Sequence, residues 1–323
     1  MAGVDQAVNL NLGVMDALNH HLMIHHHFHN DHHLHLLMPN KMSTAHANRR
    51  LHSSLLDCAV SSSATSFSRL KWAIRVLPPH LRLAIYEKMH DQGRLCQLGY
   101  EWCDLEVFEM VLSVKHRRYQ VHQIFQALMD HGLRLNEVLT SCLHTKCSQF
   151  LAEKRWTVKE VTNLLNLSID LGRFLLDASW YVASQRCFQL SLTIIDETHN
   201  VSCDWRDWQR IQVYHWLMDV YNSNCVYKDA LVLYERSWAL VKKYSEQKRP
   251  PLNLADVFIQ YALMFFNVGD YDQAVGWAVD ALKQIDGGRT SIRTVIEVCR
   301  HASKMLLTRR QFKQAELLVQ HAV

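Results

Sequence analysis

Histidine and cysteine are the residues here that could do chemistry. Nine of the 21 histidines fall between His20 and His35. Neutral imidazoles at His25, His26, His27, His29, His32, His33 and His35 could chelate a metal as an affinity tag does. A structural metal site needs ligands held in fixed geometry, however, and this stretch offers no scaffold. It is read as a functionless repeat-expanded leader, and no metal is expected. The nine cysteines, at 58, 96, 103, 142, 147, 187, 203, 225 and 299, lack the short paired spacings of zinc ligands and read as buried thiols of a reducing compartment. Cys142, His144 and Cys147 fit the apolar side of a helix better than a nucleophilic site. The sequence contains no nucleophile elbow, phosphate loop, paired CxxC or His-Glu-x-x-His helix. No catalytic residue and no cofactor are therefore expected.

The elements that would position any site must be helices. Only 10 glycines and 5 prolines occur in 323 residues, too few for a β-rich or α/β chain of this length. A hydrophobic fraction of 49% is enough to fill a core. Lys+Arg 35 against Asp+Glu 31 leaves a net charge of +4, which argues against a partner bound through phosphate charge. Trp205 and Trp208 with Arg206, Arg210 and Lys228 resemble a basic-aromatic patch, but Asp204, Asp207 and Asp219 offset it, so no nucleic acid is expected. No run of about 18 apolar residues is present, so no membrane span is expected. The N-terminus lacks the basic start and apolar core of a signal peptide. A soluble, intracellular protein is expected.

Residues 1–50 mix His, Asn, Met and Leu without a sustained period and are expected to be disordered. From Leu55 onward apolar residues recur at helical spacing, with prolines only at Pro78, Pro79, Pro250 and Pro251. Gly93, Gly99, Gly132 and Gly172 are expected to end helices, and the stretch 244–253 to be a loop between subassemblies.

Residues 161–323 contain repeats. The clearest unit comprises Phe258, Tyr261, Ala262, Phe265, Gly269, Tyr271, Ala274, Ala278 and Ala281. Three weaker copies share its phase, and their aligned small residues Ser184, Ala230, Ala274 and Ala315 are spaced 46, 44 and 41 apart. These intervals exceed the tetratricopeptide period of about 34. The expected fold is all-α, a tetratricopeptide-like α-solenoid of antiparallel helix pairs behind a disordered His-rich tail. An array that ends at Val323 with Leu317, Leu318 and Val319 in its last turns, and with no polar capping helix, is expected to be truncated at its C-terminus. Projecting the repeat pattern places Asn166, Arg173, Asp177, His215, Asp219, Asn222, Asp256, Asn267, Arg300 and Lys304 on the inner surface. That mix suits a peptide, with Arg300 and Lys304 clamping a carboxylate and Asp219 or Asp256 pairing with an arginine. It reads equally as a solvated helix face.

Several words of the sequence carry a resemblance: 92–99 (QGRLCQLG), 105–108 (LEVF), 125–132 (FQALMDHG), 300–304 (RHASK) and 320–323 (QHAV). They are similar, collinearly from about Leu55 to Val323, to a family of tetratricopeptide-containing substrate receptors of cullin-2 RING ubiquitin ligases. The family is also described as binding amyloid-precursor tails and microtubules. The resemblance implies a non-catalytic adaptor whose partners are elongin B/C and cullin-2 and whose inner face holds a substrate peptide, by analogy a C-terminal degron. It implies a cytoplasmic protein, also nuclear, with peripheral association with microtubules or membranes. It makes 51–92 the docking helices and 93–160 an N-terminal helical region. Ser54-Leu55 with Ala59 fits the elongin-binding helix, and Leu77-Pro78 with Leu81 and Ile85 fits the cullin-2 contact, each a helix-in-groove mode. Ser63 departs from the pattern, standing where an aliphatic residue is expected. The alternative class is a scaffold linking amyloid-precursor-type membrane-protein tails to microtubules, for which Lys115, Arg117 and Arg118 offer a basic surface.

Overall fold

The structure, a computed structural model, describes residues 54–153, 156–199, 201–245, 253–285 and 290–322. The His-rich stretch 1–50, with its expected disorder, lies outside them. The described residues fold into fifteen α-helices and one short 3-10 turn at Lys115–Arg117, with no strand among them. The chain divides into two compact units, with the break between Thr198 and His199.

The first unit contains α1 (Leu55–Thr65), α2 (Phe67–Arg75), α3 (Pro79–Asp91), α4 (Leu95–Trp102), α5 (Leu105–Ser113), α6 (Arg118–Asp130), α7 (Leu135–Glu153), α8 (Val158–Asp177) and α9 (Tyr181–Glu197). Local chemistry starts several of them. Ser54 and Asp57 close a capping box on α1, and Thr157 and Glu160 close one on α8. Pro79 opens α3, where its missing N–H would have had no helical partner. Buried aromatic rings run through the unit: Phe67, Tyr86, Trp102, Phe108, Phe125 and Phe174 contact in sequence at centroid distances of 5.1–6.3 Å, mostly edge to face.

The second unit contains α10 (Cys203–Ser223), α11 (Tyr227–Ser245), α12 (Ala255–Asn267), α13 (Tyr271–Lys283), α14 (Ile292–Thr308) and α15 (Phe312–Ala322). These pack as the pairs α10/α11, α12/α13 and α14/α15. The first helix of each pair also packs on the first helix of the next. That is how a helical repeat buries a face that one pair alone would leave wet. The stretch 244–253, expected to separate subassemblies, falls inside this unit, and 246–252 lie outside the described residues.

One turn recurs at every pair of the repeat. Ser179, Cys225, Gly269 and Arg310 each have a left-handed backbone, with φ of 64°, 60°, 87° and 58°. Each stands five residues before the buried small residue Ser184, Ala230, Ala274 or Ala315. After each, a backbone N–H reaches back to the carbonyl five residues earlier: Trp180 to Leu175, Val226 to Tyr221, Asp270 to Phe265 and Gln311 to Leu306, at 2.8–2.9 Å. This closes the helix end in the Schellman manner. Gly93 and Gly132 end α3 and α6 in the same way. Gly99 and Gly172, in contrast, are not terminators: they lie within α4 and α8, where a side chain would collide with Leu133 and Phe188 respectively.

Candidate docking and peptide-binding surfaces

The capping box sets the geometry of α1. The Ser54 hydroxyl accepts from the Asp57 N–H at 3.1 Å, and the Asp57 carboxylate accepts from the Ser54 N–H at 3.0 Å. The Ser54 hydroxyl also donates to the Asp57 carboxylate at 2.8 Å, and this bond, with that from the Ser54 N–H, holds the carboxyl below its usual range. The helix so started buries only Ala64. Leu55 is 88% and Leu56 56% exposed, and Ala59 beside them is exposed too. Ser63 is half-buried one turn further on. At the α2–α3 junction Leu77 and Leu81 are half-buried and Pro78 is exposed, whereas Ile85 is 2% exposed and belongs to the core of the unit. The solvent-facing apolar set is therefore Leu55, Ala59, Leu77, Pro78 and Leu81, extended by exposed Trp72 and Val76.

A charged cluster that sequence reading missed underlies this region. Glu101 is fully buried. Its carboxylate accepts from Arg75 Nε at 2.7 Å and Nη2 at 3.1 Å, and Lys71 Nζ lies 3.1 Å away. Arg75 also pairs with Asp104 at 2.9 Å. The two partners are 26 residues apart, so no local pattern could have signalled the pairing.

Of the residues projected onto a peptide-binding face, Arg173 lies in the first unit, half-buried, with Asp170 4.0 Å away. In the second unit α10, α12 and α14 form a continuous row, and several projected residues are engaged within it. The Asn222 amide donates to the Gln260 side-chain oxygen at 3.0 Å and to its backbone carbonyl at 3.2 Å. Asp256 accepts from the Thr294 hydroxyl at 3.1 Å. His215 is buried against Trp216, Asp219 accepts from Ser223 at 3.5 Å, and Asn267 is half-buried. Arg300 donates to Glu297 at 2.5 Å, and Lys304 lies 4.9 Å above the Phe266 ring. The row thus has the expected composition, but Asn222 and Asp256 join helices to one another, and the exposed charges are Arg300 and Lys304.

Of the nine cysteines expected to be buried, only Cys147, Cys187 and Cys299 are; Cys103 and Cys142 are half-buried, and Cys58, Cys96, Cys203 and Cys225 are exposed, as is His144. Burial pushes the thiols of Cys147 and Cys299 up to about 11 and that of Cys187 to about 12, away from nucleophilic thiolate. At the Trp205 and Trp208 patch, Arg210 and Lys243 bind Asp207 at 3.0 and 2.7 Å, so its cations are partly neutralised from within. Burial pushes the Asp207 carboxyl up, and hydrogen bonds from Lys243, Tyr244 and Arg210 outweigh it, leaving the group below its usual range. Among the described residues no cluster of three or more metal-ligating side chains occurs, and no helix is long and apolar enough to cross a membrane.

Paired helices, a recurring left-handed turn and rows of first helices define an α-helical repeat protein of the tetratricopeptide kind. The sequence is similar to amyloid protein-binding protein 2 of Rattus norvegicus and of Mus musculus, 35% identical over 272 residues in each case. The matched part is 83% of this chain and 45% of each relative, so the chain spans about half the length of the curated relatives it matches. No protein-family model matches. Among solved structures, that of BtubC from P. vanneervenii aligns with a TM-score of 0.46 and 14% identity, covering 82% of this chain and 89% of the other. That likeness is too slight to build on.

Proposed function

We propose that the protein is a non-catalytic adaptor, a substrate receptor of a cullin-2 RING ubiquitin ligase working in the cytoplasm. In this reading α1 docks on elongin C, Leu77, Pro78 and Leu81 contact cullin-2, and the α10, α12, α14 row takes a substrate peptide, a C-terminal degron by analogy. The observation that carries it is Leu55. A leucine 88% exposed on a helix whose start is fixed by a capping box contributes nothing to its own core and is poised to fill another protein's pocket. Co-purification from cells tests the reading: the wild-type chain brings down elongin B/C and cullin-2, and Leu55→Asp loses both. Leu77→Asp loses cullin-2 while keeping elongin. Retention of elongin C by Leu55→Asp would overturn it.

The relatives' name, amyloid protein-binding, favours a second reading, a scaffold joining amyloid-precursor-type tails to microtubules. Its basic surface is weakened by internal pairing, since Arg117 binds Glu87 at 2.5 Å and Arg118 binds Asp177 at 3.0 Å, leaving exposed Lys115. Microtubule co-sedimentation that Lys115→Glu abolishes would support this reading over the first.

A further inference from the structure

A groove of about 460 Å³, lined by polar side chains and Leu190, lies between α7 and α9 in the first unit, within the size range of ligand sites. It involves neither the α1 surface nor the α10, α12, α14 row. Its lining includes one permanent cation, Arg186, and no carboxylate. Arg186 is exposed and has no acidic partner among the described residues, while the nearby cation Lys146 is 3.8 Å from Glu109. An exposed arginine fork lining a groove without acids is set to take a carboxylate in two-pronged fashion.

The remaining lining narrows the ligand. Thr145 and Thr193, both exposed, donate their hydroxyl protons back to the carbonyl four residues earlier on their own helix, at 3.1 and 3.2 Å, whereas Thr140, bonded to Asn136 in the same way, is only 4% exposed. The outward lone pairs of Thr145 and Thr193 are then left to accept. Such acceptors on both walls suit backbone N–H groups, which a small inorganic anion does not have. Ser141, His144 and Gln189 add groups able to donate or accept. From Arg186 to Thr193 the α9 wall rises by roughly 10 Å at about 1.5 Å per residue, which matches about three residues of extended chain at about 3.3 Å each.

We propose that the α7/α9 groove binds an extended peptide segment of about three residues, with an acidic side chain held by Arg186 and backbone amides donating to the threonines. The site does not depend on ligase docking, and Arg186 touches neither surface assigned above. Failure here therefore leaves that reading intact, and its failure leaves this one intact.

The test is an amide chemical-shift titration of the full chain with acetyl-Ala-Glu-Ala-Ala-amide, its glutamine counterpart, and inorganic phosphate. The glutamate peptide is expected to shift amides within 140–145 and 186–193, with the glutamine peptide roughly tenfold weaker, as loss of a charge-assisted pair implies. Arg186→Gln, an exposed change that circular dichroism should show to be folded, erases the difference between the two peptides. Thr193→Val weakens both alike. Shifts confined to other regions, an Arg186→Gln variant that still prefers glutamate, or phosphate binding as tightly as the peptide at the same residues would each overturn the proposal.

Discussion

Arg75 grips the carboxylate of Glu101 with two prongs, Nε to Oε1 at 2.7 Å and Nη2 to Oε2 at 3.1 Å, on a glutamate that has no contact with solvent. This bond to Glu101 raises the guanidinium above its usual range. Nearby, burial first and the Glu101 charge second push the Tyr86 phenol up to about 12, so the phenol stays a proton donor. Truncating one partner of such a pair strands the other's charge, which costs more than the pair contributes. Arg75→Ala is expected to destabilise the first unit by about 3 kcal/mol, read as a lower urea midpoint. A shift of the midpoint no larger than that of an exposed surface change such as Lys159→Ala would show that Lys71 alone suffices to hold Glu101.

The recurring left-handed turn gives a prediction of opposite sign. Only Gly269 meets its backbone demand without strain, whereas Ser179, Cys225 and Arg310 carry a Cβ into a region that costs roughly 1–2 kcal/mol for an ordinary residue. All three side chains are exposed, so little packing is lost on removing them. Ser179→Gly and Arg310→Gly are each expected to raise stability by about 0.5 kcal/mol, the strain relieved less the extra entropy of an unfolded glycine. They lie in different units and their effects on melting temperature should add. Gly269→Ala should cost about 1 kcal/mol. A fall in melting temperature for both glycine variants would contradict this account.

The same turn marks where sequence reading succeeds and where it stops. Ser184, Ala230, Ala274 and Ala315 are legible as the repeat's small residues because their burial is dictated by close helix contact, and all four are at most 1% exposed. The turn five residues earlier is legible only at Gly269, since elsewhere serine, cysteine and arginine are forced into the glycine conformation by the packing around them. Gly99 and Gly172 mislead for the converse reason: their lack of a side chain serves helix contact, and the sequence does not distinguish that from a chain reversal. Leu55 is legible as a docking candidate only through the resemblance, and the structure shows it 88% exposed. The Arg75–Glu101 pair and the α7/α9 groove exist only once helices distant in sequence meet. Ile85 and His215 have the right types and spacing for a surface, but each points into the core.

Glu297 predicts a pH dependence. A hydrogen bond from His301 is the chief cause, aided by Arg300 against an opposing effect of burial, and together they hold its carboxyl down at about 2, against 4.5 for an unperturbed glutamate. A carboxyl depressed in the folded state stabilises it above its unfolded value, and that contribution fades as pH falls from 4.5 through about 2. The wild-type chain should therefore exceed Glu297→Gln in stability at pH 6, with the gap closing by pH 2 and shrinking in high salt, because the pair is partly exposed. Denaturation curves of both chains across that interval would check it, and a gap independent of pH would refute it.

Two helical glycines test the packing logic of the repeat most directly. In α8, a Cβ built on Gly172 would lie 2.7, 2.9 and 3.0 Å from three atoms of the Phe188 ring. Phe188 is fully buried and has no free end to swing away. The Gly172 carbonyl meanwhile accepts from the Ser184 hydroxyl at 2.7 Å, tying α8 to α9 at the same level. Gly172→Ala must therefore push the two helices apart or twist the ring, and a loss of about 2 kcal/mol is expected from overpacking. In α13, a Cβ on Gly276 would meet nothing within 4 Å. There the identical substitution only removes unfolded-state freedom and should stabilise by about 0.5–1 kcal/mol. Phe188→Leu costs stability by itself but opens space beside α8, so combining it with Gly172→Ala should lose less than the sum of the two single changes. Urea titrations of the four variants decide the matter: equal signs for the two alanine substitutions, or strict additivity of Gly172→Ala with Phe188→Leu, would mean that the close approach of α8 and α9 is not what places glycine at position 172.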